Sequence, residues 1–227
     1  MKPEDLKPPY AKEERRIFIH DRVWFLPNDR LPPPNEFVFP GWEHPDIFGN
    51  NHPVCIEYCS GNGAWIAGKA QANPHLNWVA VERKFDRVRK IWSKIKNLDL
   101  PNLFIICGEA HQATRTYFPE CSAHDVYINF PDPWPKARHA KNRLIQAEFA
   151  QQLWRILQEG RSLTFVTDDP PYSEWLIEVM TAHKGFSSSY PSPYYTTDES
   201  CYGTSYFDQL WRSKGRTIRY HKFQKSC

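Results

Sequence analysis

The sequence predicts an α/β domain built on a mostly parallel sheet with helices on both faces. Three observations predict it. From residue 53 onward short apolar runs alternate with amphipathic stretches. The first run is followed by a Gly-containing turn. An acidic residue stands at or beside the end of each of five runs. Alternation of this kind is what βαβ units need, because a parallel strand is buried on both faces while its return helix buries one stripe.

The elements follow in order. Residues 54–58 form the first strand, ending in the turn 60–63, and a helix is expected over 64–73. Residues 77–82 give a second strand. The next helix gathers Phe85, Val88, Ile91, Trp92 and Ile95 on one face and Arg83, Arg87, Lys90 and Lys94 on the other. Strands are predicted at 103–107 and 125–130, then an amphipathic helix at 144–157 with Ile145, Phe149, Leu153, Ile156 and Leu157 in register. A fifth strand at 162–167, a helix at 171–184 and a last strand at 217–223 complete the series. Residues 1–52 differ in texture, with K-P-P-Y and R-L-P-P-P-N. Repeated prolines remove amide donors and fix φ, so this segment reads as an extended arm anchored by Trp24, Phe25, Phe37, Phe39 and Trp42, ahead of a domain at 53–227.

Composition excludes several classes. The chain of 227 residues is long enough for one domain with a full core plus an arm. Its longest apolar runs, such as 126–130 and 163–166, are too short to span a bilayer, and the polar N-terminus lacks a signal-peptide core. A cytoplasmic protein without a membrane partner is expected. The six cysteines show no C-x-x-C spacing, so reduced thiols and no metal site are expected. The net charge of +3 is modest, but the cations cluster: 83–96, 136–143, and Arg212, Lys214, Arg216, Arg219, Lys222 and Lys225. Such clusters suit a polyanion; singly, each is equally at home as a solvated face.

Ligands of open parallel sheets bind beyond the carboxyl ends of the strands. Those ends carry Glu57, Glu82, Glu109, Asp132 and Asp168, of which two or three fit helix caps as well. In E-Y-C-S-G-N-G, Gly61 and Gly63 allow close backbone approach, and Glu82 stands 21 residues after Gly61, where an acceptor for ribose hydroxyls belongs. This pattern serves NAD and S-adenosylmethionine alike. The turn lacks G-x-G-x-x-G, however, and Glu57 beside it would repel a pyrophosphate and attract a cationic sulfonium ligand, which favours the methyl donor. After the strand at 125–130, P-D-P-W-P fixes Asp132 between prolines beside Trp134, a rigid acceptor and an aromatic plate suited to a planar base. Lys136, Arg138, His139, Lys141 and Arg143 follow and could hold phosphates.

The stretch N-F-P-D-P-W-P-K-A-R-H-A-K-N-R-L resembles the signature of bacterial tRNA (guanine-N7-)-methyltransferases over residues 53–223, supported by Thr167, Asp168 and Tyr172 and by T-x-Y at 204–206. The resemblance implies a Rossmann-like S-adenosylmethionine-dependent methyltransferase fold, with a variable-loop guanine of tRNA as target. It implies cofactor-site positions at Glu57, Gly61, Gly63, Glu82, Glu109 and Asp132, with Asp132 also catalytic. It implies substrate-site positions at Lys136, Asp168, Thr204, Ser205, Tyr206 and Phe207. This chain departs from the pattern at 58–60, at Glu109 where Asp is commoner, at Asn142, and at Phe207 where Glu is expected, with Asp208 next door. Two rivals remain at the level of sequence. D-P-P-Y, beginning at Asp169, resembles the loop by which other enzymes methylate exocyclic amines of a flipped base, although it follows the fifth strand rather than the fourth. The second rival is a binding module that keeps the fold without catalysis.

Overall fold

A computed structural model describes residues 1–8, 16–27 and 37–226. Tyr10, R-L-P-P-P-N and Cys227 lie outside them. The chain forms two compact units, Met1–Pro119 and Glu120–Cys227.

In the first unit β1 (Phe18–His20) pairs antiparallel with β2 (Val23–Phe25), and β2 runs parallel to β5 (Leu103–Cys107). β5 is parallel to β4 (Asn77–Glu82), and β4 to β3 (Val54–Tyr58). Every residue of β3 and β4 is buried, as continuous apolar runs in a covered parallel sheet should be. The helices are α1 (Ala64–Ala72), α2 (Phe85–Leu98) and α3 (Ala110–Tyr117). α2 buries Val88, Ile91, Trp92 and Ile95 of the face the sequence predicts and leaves Phe85, at its first residue, half-buried.

Where the sequence suggests an extended arm, the N-terminal segment forms a hairpin over its described residues 18–25. Its prolines cluster on either side of residues 16–26, and R-I-F-I-H-D-R-V-W-F-L between them carries β-branched and aromatic residues around Asp-Arg, a hairpin pattern. Asp21 and Arg22 both have positive φ, 46° and 71°, the two-residue turn whose twist matches the strands. Neither is glycine, and side chains offset the strain. Asp21 accepts a hydrogen bond from Trp92 Nε1 (3.1 Å) and pairs with Lys96, while Arg22 donates to the carbonyls of Ile47 and Pro101. The expected aromatic anchors do pack: Trp24 is fully buried, stacked on Phe39 at 5.1 Å and edge-on to Tyr117 at 5.2 Å.

In the second unit β6 (Asp125–Asn129) runs parallel to β7 (Ser162–Thr167). β9 (Arg219–Lys225) is antiparallel to β7 and to β8 (Phe186–Ser188). The helices are α4 (Ala147–Ile156), α5 (Pro170–Ala182) and α6 (Tyr206–Ser213). Of the six expected strands four coincide with observed ones, that at 125–130 ends one residue earlier, and the last lies two residues later than 217–223. α3, α6 and β8 are additional to the elements expected.

His221 on β9 is fully buried, its ring fixed in one neutral form: Nδ1 donates to the Tyr194 carbonyl and Nε2 accepts from the Ser173 hydroxyl, each at 3.0 Å. Burial first, and the Arg219 charge second, lower its pKa from 6.5 to about 4 against the opposing carbonyl bond. Because the folded value is depressed, this stabilisation is fully present above pH 6.5 and is lost as pH falls toward 4, on the order of 3 kcal/mol in all. Urea unfolding of the parent and of His221→Asn across that window checks it: the parent should lose the extra stability on acidification and the variant should not.

Candidate active site

The carboxyl ends of β3 and β4 hold one half of the predicted residues. Glu57 is 2% exposed. Beyond it Cys59 (φ 60°), Gly61 (φ 57°) and Gly63 (φ 72°) turn the chain into α1. Gly63 is required by its positive φ and by space, since a Cβ there would stand 2.6 Å from Ile91 Cγ1 of α2. The turn is tied at both ends. Gly61 N donates to Glu82 Oε2 (3.0 Å), and Lys94 Nζ donates to the Asn62 carbonyl (2.9 Å). Glu82, 5% exposed, also accepts from Lys84 N (2.8 Å) and faces Arg87 at 3.6 Å. Glu57, Gly61, Gly63 and Glu82 thus share one neighbourhood. Glu109 serves as a helix cap, its Oε2 accepting from Gln112 N (2.9 Å) at the start of α3. In register with Glu82, Cys107 is inert, its thiol pushed up to about 12 by burial and by the Glu82 charge.

The loop after β6 holds Asp132 and Lys136, both exposed. Phe130 (φ 48°) and Trp134 (φ 45°) bend the backbone around the prolines. Three contacts fix it from outside. Phe130 N donates to the Val166 carbonyl (2.9 Å), Tyr202 Oη donates to Asn129 Oδ1 (2.6 Å), and Arg143 Nε donates to the Pro133 carbonyl (3.0 Å). Arg143 is 8% exposed, its guanidinium 5.3 Å from the ring centres of both Tyr172 and Trp175. It is therefore a clamp on the loop, where the sequence suggested a phosphate ligand. Arg143→Met should lower stability by about 2 kcal/mol, since it strands a carbonyl, and should slow any chemistry at Asp132. Urea unfolding beside single-turnover rates measures both; an unchanged midpoint with an unchanged rate would remove the clamp.

D-P-P-Y is overturned as a base-stacking loop. Asp169 Oδ1 accepts from Tyr172 N (2.8 Å) and caps α5, the two prolines occupy its first turn, and Tyr172 is fully buried against Phe165 at 5.2 Å. No face of that ring is offered to a base.

The remaining predicted residues divide. Asp168, at the end of β7, pairs with Arg216. Ser205 caps α6, accepting from Asp208 N (3.1 Å), and Thr204 and Tyr206 are exposed. Phe207 packs toward Phe130 with ring centres 6.2 Å apart. Asp208 takes no part in an open site: 3% exposed, it accepts from Tyr220 Oη (2.8 Å) and Arg212 Nε (2.9 Å). Burial, then the Asp208 bond, push the Tyr220 phenol up to about 12, so it stays a donor. The basic stretch 83–96 is also largely spent internally, through Arg87 on Glu82, Arg89 on the Leu6 carbonyl, Lys94 on Asn62 and Lys96 on Asp21. Asn129 and Tyr202 are contributors that sequence reasoning gave no role, while Arg143 and Arg216, read there as cations for phosphate or a polyanion, engage groups of their own chain.

The family model described as a putative methyltransferase matches residues 51–220. The tRNA (guanine-N(7)-)-methyltransferase of Chlamydia muridarum is 46% identical over 225 residues, 99% of this chain and 98% of that protein. The chain belongs to the tRNA (guanine-N(7)-)-methyltransferase family. Among solved structures, the 16S rRNA methyltransferase KamB aligns with TM-score 0.58 at 17% identity, covering 79% of this chain and 91% of that one. A SAM-dependent methyltransferase from Aquifex aeolicus aligns with TM-score 0.54 at 10% identity, covering 78% and 84%. At such identities the likeness is one of fold, the Rossmann-like methyltransferase fold with its mostly parallel sheet. Membership excludes NAD as the cofactor and retains S-adenosylmethionine. The acidic character of the turn fits that ligand, since Glu57 and Glu82 suit an amine and a ribose diol. No helix among the described residues is long and apolar enough to cross a membrane.

Proposed function

We propose that this chain transfers a methyl group from S-adenosylmethionine to N7 of a variable-loop guanine in tRNA, in the cytoplasm. The observation that carries the residue assignment is the loop 129–136, where an exposed Asp132 stands between prolines in a segment clamped by Arg143, Tyr202 and the Val166 carbonyl. S-adenosylmethionine supplies an electrophilic methyl on a positively charged sulfur. In this chain Glu57 would hold the amino end of that ligand, Glu82 its ribose hydroxyls, and the turn at Gly61 and Gly63 its backbone contacts.

N7 of guanine carries an in-plane lone pair, so no proton leaves before attack. The N7–C bond forms as the C–S bond breaks, and the positive charge passes from sulfur to the guanine ring. The protein's work is positioning and charge stabilisation. Asp132 would orient the reactants and stabilise the developing guaninium. Asp168 would accept the N–H donors of the base, while Thr204, Ser205, Tyr206 and Phe207 line the substrate side. Lys136, with Arg138 and Lys141, would bind phosphates, giving salt-sensitive affinity for tRNA. One assay tests the reading: purified protein, labelled methyl donor, tRNA lacking the modification, then nucleoside analysis. Label in alkali-labile N7-methylguanosine is expected; label in any other nucleoside, or binding of the methyl donor without transfer, would overturn it.

A further inference from the structure

After α6 the chain returns Arg216 to the end of β7. There its Nη1 pairs with Asp168 Oδ2, and its guanidinium lies 4.3 Å from the centre of the Trp211 ring, whose other cationic neighbour is Lys214 at 4.8 Å. The Asp168 side chain is only 10% exposed whereas that of Arg216 is 49% exposed. An exposed long cation thus reaches inward to a largely buried carboxylate, the reverse of an ordinary surface pair. The frame beneath is rigid. Asp208 ties Arg212 of α6 to Tyr220 of β9, and Ile218, between them in sequence, is fully buried with Val166. Asp168 is not needed as a cap, because Asp169 caps α5.

A carboxylate has about four lone-pair directions in its plane, and a guanidinium held on one oxygen restrains how that plane turns. With Oδ2 engaged by Arg216, Oδ1 and the second lone pair of Oδ2 are left for further donors. We propose that Arg216 is a positioning residue for the methylation reaction: seated on Trp211, it orients Asp168 so that this carboxylate accepts the N–H donors of the target guanine. The inference rests on Asp168 as the guanine acceptor. It assigns Arg216, a member of the basic C-terminal cluster, to a carboxylate of its own chain instead of to the RNA backbone.

A double-mutant cycle on the full chain separates the two roles, with tRNA methylation as readout and S-adenosylmethionine binding by calorimetry as the control for folding. Arg216→Met in the parent should lower kcat about tenfold while KM for tRNA stays within about twofold, because tRNA affinity is held by phosphate contacts elsewhere. Arg216→Lys should recover part of the loss. In an Asp168→Asn background, itself strongly impaired, Arg216→Met should add less than about twofold, since the partner of the guanidinium is already changed. A phosphate-binding role predicts the opposite pattern: raised KM, a shallower salt dependence, and the same loss in both backgrounds; that result overturns the inference while sparing Asp168. Near-normal activity of Asp168→Asn alone would overturn the assignment of Asp168, and the inference with it.

Discussion

Asp132→Asn is expected to lower kcat for tRNA methylation by on the order of 100- to 1000-fold with little change in stability. The two expectations have different origins. Stability should hold because Asp132 is exposed and the loop is fixed by its neighbours, through the Phe130 amide, the Pro133 carbonyl and the Asn129 side chain. Asparagine keeps the shape and one acceptor but removes the charge. The rate should fall because methyl transfer moves a full positive charge onto the guanine ring, and a nearby fixed carboxylate stabilises that charge only as it develops. Single-turnover measurement with saturating methyl donor isolates the chemical step. A rate within about threefold of the parent would mean that positioning alone carries the catalysis.

Much of the architecture was legible because burial in a parallel sheet leaves a strong mark. β3, β4, β5 and β7 are apolar runs between turn residues, and their positions agree with expectation. What was missed had a local cause. The hairpin of β1 and β2 was hidden by the prolines around it, and its turn uses Asp21 and Arg22 where glycine or asparagine would have signalled it. α6 is masked in the sequence because its cap and first residues, Ser205, Tyr206 and Phe207, coincide with the substrate motif at 204–207; Ser205 caps the helix that begins there. At the site, residue types were readable and partners were not. Nothing in the sequence says that Arg143 lies over Tyr172 and Trp175, that Asp208 closes on Tyr220, or that Lys94 is held by a carbonyl. Runs of cations look alike in sequence whether they face RNA or their own chain. Only the pairing geometry separates the exposed Lys136, Arg138 and Lys141 from the internally paired Arg87, Arg89, Lys94 and Lys96.

Glu82→Ala is expected to be the most damaging change at the cofactor turn. Glu82 accepts the amides of both Gly61 and Lys84, so alanine leaves two backbone donors without their acceptor and Arg87 without its carboxylate. Loss of stability should be about 2 to 3 kcal/mol. Affinity for S-adenosylmethionine should drop roughly 100-fold if Glu82 holds the ribose as proposed, since the two charge-assisted bonds it would make to the hydroxyls are then lost. Part of that drop would come from loosening of the turn, and ligand chemistry separates the parts. A 2′,3′-dideoxy analogue of S-adenosylhomocysteine lacks the hydroxyls, so it should bind the parent far more weakly than the intact ligand and should distinguish little between parent and variant. If Glu82→Ala weakened the analogue and the intact ligand by the same factor, Glu82 would be a support for the turn alone. Glu82→Gln should fall between the two: its carbonyl oxygen can still accept from Gly61, but its NH₂ would face the Lys84 amide donor to donor, and the orientation that relieves one contact loses the other.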